Sequence, residues 1–175
     1  EEQLEYLMKS WRNFNISNTF EPGSIFKPMV VAAALEEGII SETDTYVCNG
    51  KKTVYDKTIG CWQRSGHGTE TLEDVLANSC NVAMMDIGEK MGRSLFYKYQ
   101  KDFGFGELTG IDLPGEEGTG STIMYAENAI GPVELATMSF GQSFNCTAIQ
   151  VLTAFSAVIN GGNLMQPYVV SKVID

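Results

Sequence analysis

The stretch that most constrains this chain is Glu21-Pro22-Gly23-Ser24-Ile25-Phe26-Lys27-Pro28, a tight turn that runs directly into the apolar segment Met29 to Leu35. Pro22-Gly23 breaks the chain, and the residues beyond predict a helix from about Ser24 to Glu37 with Gly38 as its C-terminal stop. Ser24 and Lys27 are three apart, so on a helix they share a face with Cβ atoms about 5–6 Å from each other. A hydroxyl is a weak nucleophile until a base removes its proton, and a neutral amine at this spacing can serve as that base. The positive end of the helix dipole and burial beside Phe26 and Met29 both disfavour the ammonium form of Lys27. Pro28 has no N–H for the carbonyl of Ser24, which predicts an irregular first turn. Taken alone, the octapeptide reads equally as an ordinary helix start with a glycine cap and a surface lysine.

The 175 residues suit one domain with room for a core. A net charge of −10, with the twelve Lys and Arg residues scattered, excludes nucleic acid as a partner, because phosphate neutralisation needs clustered cations. Nothing approaches the roughly 18 consecutive apolar residues of a membrane span. The first residues carry no signal-peptide pattern, so the compartment is not legible from a targeting segment. Cys48, Cys61, Cys80 and Cys146 form no C-x-x-C pair, and His67 is the single histidine. Their separations are unusual for zinc, so no metal site is expected; reduced core cysteines or one disulfide fit better.

Along the chain the expected elements are predominantly helical. Glu1–Met8 reads as a short helix and Asn13–Asn18 as a loop. Tyr46–Cys61 alternates β-branched and polar residues, which predicts a two- or three-stranded ribbon turning at Asn49-Gly50 and Asp56-Lys57. Ser65-Gly66-His67-Gly68 is a loop, where His67 is either a catalytic base or a structural, solvated side chain. Thr71-Leu72-Glu73-Asp74 resembles a capping box for a helix ending near Asn78. Helical spacing resumes at Val82 and stops at Gly92, followed by a second helix from about Arg93 to Phe103. The glycine-rich stretch from Phe105 to Gly120 is a loop. Pro132–Phe140 is a short helix, and Thr147-Ala148-Ile149-Gln150 caps another that ends at Gly161-Gly162. Tyr168–Ile174 reads as a strand without a partner following it.

A second chemical element, Ser79-Cys80-Asn81, stands at a corner between two helices. A hydroxyl there can pass a proton to or from Lys27, and an amide can both donate to and accept from a peptide bond. With the octapeptide it resembles the transpeptidase domain of class B penicillin-binding proteins, the enzymes that cross-link peptidoglycan. Further matching stretches are Trp11-Arg12-Asn13, Gly66-His67-Gly68, Phe103-Gly104-Phe105-Gly106, Thr109 to Glu116, Ser139-Phe140-Gly141-Gln142 and Asn160 to Tyr168. Cys61-Trp62 together with Ser79-Cys80-Asn81 is most similar to the sporulation branch, which builds spore cortex.

The resemblance implies a peptidoglycan D,D-transpeptidase in which Ser24 is acylated, Lys27 is its base, Ser79 relays the proton and Asn81 holds the donor peptide. It implies stem peptides as substrates, β-lactams as inhibitors, no cofactor and a cell-wall glycosyltransferase as partner. The Ser24 N–H would be one oxyanion donor, and Trp62 is either on the cleft rim or a packed aromatic. The family also implies a position on the outer face of the membrane, with an anchor outside this segment. The family's Lys-Thr-Gly or Lys-Ser-Gly strand does not occur in these residues. The expected fold is therefore mainly α with small β elements. It would be the helical lobe and nucleophile helix of the penicillin-binding-protein and serine β-lactamase fold, with residues 1–175 a partial transpeptidase domain lacking most of the central sheet. Such a fragment should be inactive alone and leave Val30, Val31, Ala34 and Leu35 exposed or reburied by self-association. A β-lactam sensor, a serine β-lactamase and an inert helical fragment are the competing readings. Cys61 and Cys80 are the pair expected to form a disulfide switch at the Ser79–Asn81 corner, with Cys48–Cys61 the rival pairing.

Overall fold

The computed structural model describes residues 6–7, 10–120 and 124–174. The helix expected over Glu1–Met8 lies almost wholly outside them. Where a loop was expected, Phe14–Ser17 forms a one-turn helix, α1, because the Asn13 side chain accepts the Asn15 N–H at 3.0 Å. Strand β1 (Thr19–Phe20) follows and pairs antiparallel with β6 (Cys146–Thr147). Gly23–Phe26 is then a 3₁₀ turn leading into α2 (Lys27–Glu36), the irregular start that Pro28 predicts. In that turn the Lys27 N–H bonds the Ser24 carbonyl. Gly38 ends the helix at φ +63°, a conformation glycine adopts without strain.

The expected single ribbon is two separate two-stranded sheets. β2 (Thr45–Cys48) pairs with β5 (Gly68–Thr71), and β3 (Lys51–Val54) pairs with β4 (Lys57–Gly60) across Tyr55-Asp56. Asn49-Gly50 is therefore a crossing from one sheet to the other and not a hairpin turn. The register sets Cys48 opposite Gly68, and the Cys61 N–H bonds Gly50 O at 2.8 Å. The ends of both sheets thus meet.

Both capping boxes form. Thr71 and Asp74 start α3 (Leu72–Ala77), and Thr147 and Gln150 start α6 (Ala148–Ile159). Between them runs α4 (Asn81–Asp102), broken at Gly92 (φ 72°, ψ 164°) where the sequence places a helix end. The short α5 (Pro132–Met138) packs on α4, with proline in its first turn. Tyr168–Ile174 is not a strand; the Asp112 carboxylate accepts the N–H groups of Val169 and Val170 at 2.7 and 2.8 Å.

Val30, Val31 and Ala34 are buried and Leu35 half-buried, contrary to the expectation of an exposed face. Helix α2 packs against both α4 and α6, and a helix apolar on all sides is stable in such a sandwich. Exposed apolar residues include Leu152, Phe155 and Ile159 on one face of α6. Beneath the 3₁₀ turn, Phe26 meets Phe96, Phe105 and Phe144 edge to face, with ring centroids 6.2, 5.2 and 4.8 Å away. This cluster seats the turn bearing Ser24 on the core.

Candidate active site

Ser24 is exposed in the first turn of the 3₁₀–α2 helix, where N–H groups have no acceptor inside the helix. Lys27 begins α2 and is 1% exposed. Its Nζ donates to Ser79 O at 2.7 Å, Ser79 Oγ at 2.9 Å and Asn81 Oδ1 at 2.8 Å, which uses all the protons of an ammonium. Ser79 Oγ in turn donates to Ser24 Oγ at 2.7 Å. The Ser24 and Lys27 side chains are therefore joined through Ser79; no direct hydrogen bond between the two side chains occurs among the described residues. Helical spacing alone does not reveal this, because it concerns two points on a cylinder and ignores the corner that inserts between them.

Burial lowers the Lys27 pKa to about 8, against opposing contributions from Cys61, Cys80 and Glu70. Once that amine is neutral it can accept a proton. The Ser79 hydroxyl can then rotate to donate to Nζ and accept from Ser24. Ser79 itself sits at φ +52°, uncommon for a non-glycine residue, at the corner after α3. Asn81 opens α4, with Cys80 as its cap.

The turn carrying Ser24 is braced from a side that sequence reading did not anticipate. The Gly23 N–H bonds Gly141 O at 2.7 Å, and Glu21 accepts the Ser143 N–H at 2.7 Å. Gly141 is at φ +84°, and a Cβ there would lie 2.0 Å from Gly23 O. Ser139-Phe140-Gly141-Gln142 was legible as a stretch, but its role needs the fold. Gly141→Ala is expected to cost about 1–3 kcal/mol from backbone strain alone, with more from the clash, and so lower the melting temperature. Differential scanning calorimetry of the variant checks this.

Trp62 is exposed, its indole N–H bonds Asn78 O at 2.9 Å, and its ring faces His67 at 5.3 Å between centroids. It is a surface side chain tied to the residue before Ser79, and not a core aromatic.

Cys61 and Cys80 are free and buried, and the structure brings them together. With Cys48 and His67 they form a group whose ligand atoms all lie within 4.8 Å of one another. Both proposed disulfide pairings are thus neighbours, and so is a complete set of metal donors. Spacing in the sequence does not reveal this grouping: β2, the end of β4, the loop before β5 and the cap of α4 converge regardless of sequence separation. Burial opposes the lowering of the Cys61 pKa, but N–H groups of Asn81, Gln63 and Val82 outweigh it; burial pushes the Cys80 thiol up. Cys146 lies elsewhere, beside Phe20 O, and burial raises it to about 12.

Residues 1–175 match the family model described as the penicillin-binding protein transpeptidase domain. Stage V sporulation protein D of Bacillus subtilis is 46% identical over 94% of this chain and 25% of its own length. The peptidoglycan D,D-transpeptidase FtsI of Escherichia coli is 31% identical over 94% of this chain and 27% of its own. Among solved structures, a peptidoglycan synthetase from Bifidobacterium adolescentis superposes with a TM-score of 0.81 at 29% identity, covering 89% of this chain and 28% of that one. Penicillin-binding protein PBP2 of Helicobacter pylori gives 0.81 at 25% identity over 96% and 34%. The chain thus spans about a quarter of the length of these two curated relatives.

Proposed function

This chain belongs to the penicillin-binding-protein transpeptidase family, and on that premise we propose that it carries the nucleophile of a serine D,D-transpeptidase that cross-links peptidoglycan. The observation that carries this reading is the chain of hydrogen bonds from buried Lys27 through Ser79 to exposed Ser24. Ser24 Oγ attacks the carbonyl of a D-alanyl-D-alanine terminus, its proton passing by way of Ser79 to neutral Lys27. Collapse of the tetrahedral adduct expels D-alanine, which takes that proton, and leaves an ester on Ser24. The amine of a second stem peptide then attacks the ester and forms the cross-link, expelling Ser24 Oγ, which regains the amine's proton by way of Lys27 and Ser79. The Ser24 N–H is one oxyanion donor. Asn81 orients the donor peptide's amide, and Trp62 forms the rim of the cleft. β-Lactams acylate the same serine.

The similarity to stage V sporulation protein D supports a role in the spore cortex. Peptidoglycan stem peptides are the substrates and a cell-wall glycosyltransferase is the partner. The place of action is the outer face of the membrane, held by an anchor outside this segment. Among the described residues no helix is long and apolar enough to cross a membrane.

The test is to treat the full-length protein with a fluorescent penicillin and follow release of the adduct. A long-lived adduct on Ser24 is expected; rapid release would instead indicate a β-lactamase, and no adduct would overturn the reading. Acylation should also rise with pH through about 8, since only the neutral amine is a base. Below that value the rate should fall about tenfold per pH unit, and stopped-flow labelling between pH 6 and 9, a range set about the lysine's value, checks it. The isolated 175-residue chain should label far more slowly than the full-length protein, as loss of one oxyanion donor typically costs about 10²–10³ in rate. Stoichiometric labelling of the isolated chain within minutes would contradict this.

A further inference from the structure

We propose that the cavity between the β3–β4 hairpin and helices α4 and α5 binds an anionic amphiphile, a carboxylate on an aliphatic body, at a site separate from Ser24. The cavity holds about 450 Å³. Small-molecule sites span roughly 300–1,000 Å³ and are mostly apolar, with a few polar groups that fix orientation. The apolar lining here is aliphatic throughout: Val54 of β3, Met85 of α4, and Ile130, Pro132, Leu135 and Ala136 at the start of α5. Along β3 burial alternates, so Lys52 and Val54 face inward while Lys51 and Thr53 face solvent. None of Ser24, Lys27, Ser79 and Asn81 lines the cavity.

The polar groups of the lining decide the charge of the ligand. Lys52 Nζ donates to Asp86 Oδ1 at 2.5 Å and to Glu89 Oε2 at 2.6 Å, which ties the hairpin down onto α4. Burial favours the neutral amine, but these two bonds outweigh it and raise the pKa, so Lys52 is an ammonium with one N–H unused. Ser94 Oγ donates to Glu127 Oε1 at 2.6 Å and holds the 3₁₀ turn Glu127–Ala129, just before Ile130, to α4. The carboxylates nearest the cavity, Asp86, Glu89 and Glu127, therefore each accept a hydrogen bond already. Arg93 is different. Its side chain lines the cavity, is exposed, and makes no hydrogen bond or ion pair among the described residues. The unused capacity is thus that of two cations, and a guanidinium presents a planar fork that fits a carboxylate bidentately.

Met85, Glu89 and Arg93 follow at intervals of four, so α4 lines the cavity from a buried apolar residue to an exposed cation. A carboxylate on Arg93 leaves the aliphatic body to pack between Val54 and Leu135, where it displaces water from apolar surface. The site does not rest on the transpeptidase reading.

The test is calorimetric binding of octanoate to the full-length protein, with octanamide and octylammonium as controls. One saturable equivalent of octanoate is expected. Octanamide should bind about tenfold more weakly for want of the charge-assisted pair, and octylammonium should not bind. Arg93→Ala, at an exposed position, should melt as the wild type does and bind octanoate about tenfold more weakly. A photoreactive diazirine analogue of octanoate should mark Met85 or residues 130–136, and octanoate should compete with it. Protein already acylated by penicillin should bind octanoate as the free protein does. Absent or unsaturable binding, equal affinity in Arg93→Ala, equal affinity for octylammonium, or marking confined to other segments would each overturn the site. Octanoate binding lost on acylation would put the ligand at Ser24 and overturn it too. A protein that binds octanoate as expected but never takes up penicillin would refute the transpeptidase reading alone.

Discussion

Ser24→Ala in the full-length protein is expected to abolish covalent labelling by penicillin. The ester needs an oxygen at this position, and among the described residues no other hydroxyl is both exposed and linked through one hydrogen bond to the group that contacts Lys27. Ser79 is the single rival, since it touches the lysine directly. Its hydroxyl is only half-buried, but it is held at both ends, between Lys27 Nζ at 2.9 Å and Ser24 Oγ at 2.7 Å. The small change at exposed Ser24 should leave the fold intact, so melting should match that of the wild type. Mass spectrometry of the penicillin-treated variant decides the matter: an adduct mapped to Ser79 would reverse the roles of the two serines.

Lys27→Arg is expected to lower the acylation rate by about 10²–10⁴, the range a positioned general base contributes. A guanidinium stays protonated throughout the accessible pH range and cannot accept the proton of Ser24. Lysine suits the position because burial brings its pKa to about 8, near enough to neutrality that about a tenth of it is neutral at pH 7. The larger side chain must also fit where 1% of the lysine is exposed, so stability is measured alongside activity. A folded Lys27→Arg protein should lose the rise in acylation through about pH 8. If that rise persists at full rate, another group is the base. That profile separates loss of a base from simple distortion, which would lower the rate at every pH.

Local chemistry in the sequence was sufficient wherever structure depends on neighbours in the chain. Thr71 with Asp74 and Thr147 with Gln150 start their helices because both partners of each reciprocal cap lie within one turn. Gly92 interrupts α4 and Pro28 perturbs the start of α2 for equally local reasons, a left-handed φ and a missing N–H. The turn bearing Ser24 and the Ser79-Cys80-Asn81 corner were legible as motifs for the same reason.

Pairing and convergence belong to the tertiary structure. Asn49-Gly50 has the chemistry of a hairpin turn, yet β2 pairs with β5, because a strand's partner is chosen by the packing of whole sheets. The residues around Val30 looked exposable when α2 was considered alone, and α4 and α6 cover them. Ser79 comes between Ser24 and Lys27 only because α3 and α4 deliver their corner onto the start of α2. Cys48, Cys61, His67 and Cys80, judged by spacing, had no claim to a common site. Donor atoms meet through space, and only the folding of two sheet ends against a helix cap sets theirs within 4.8 Å.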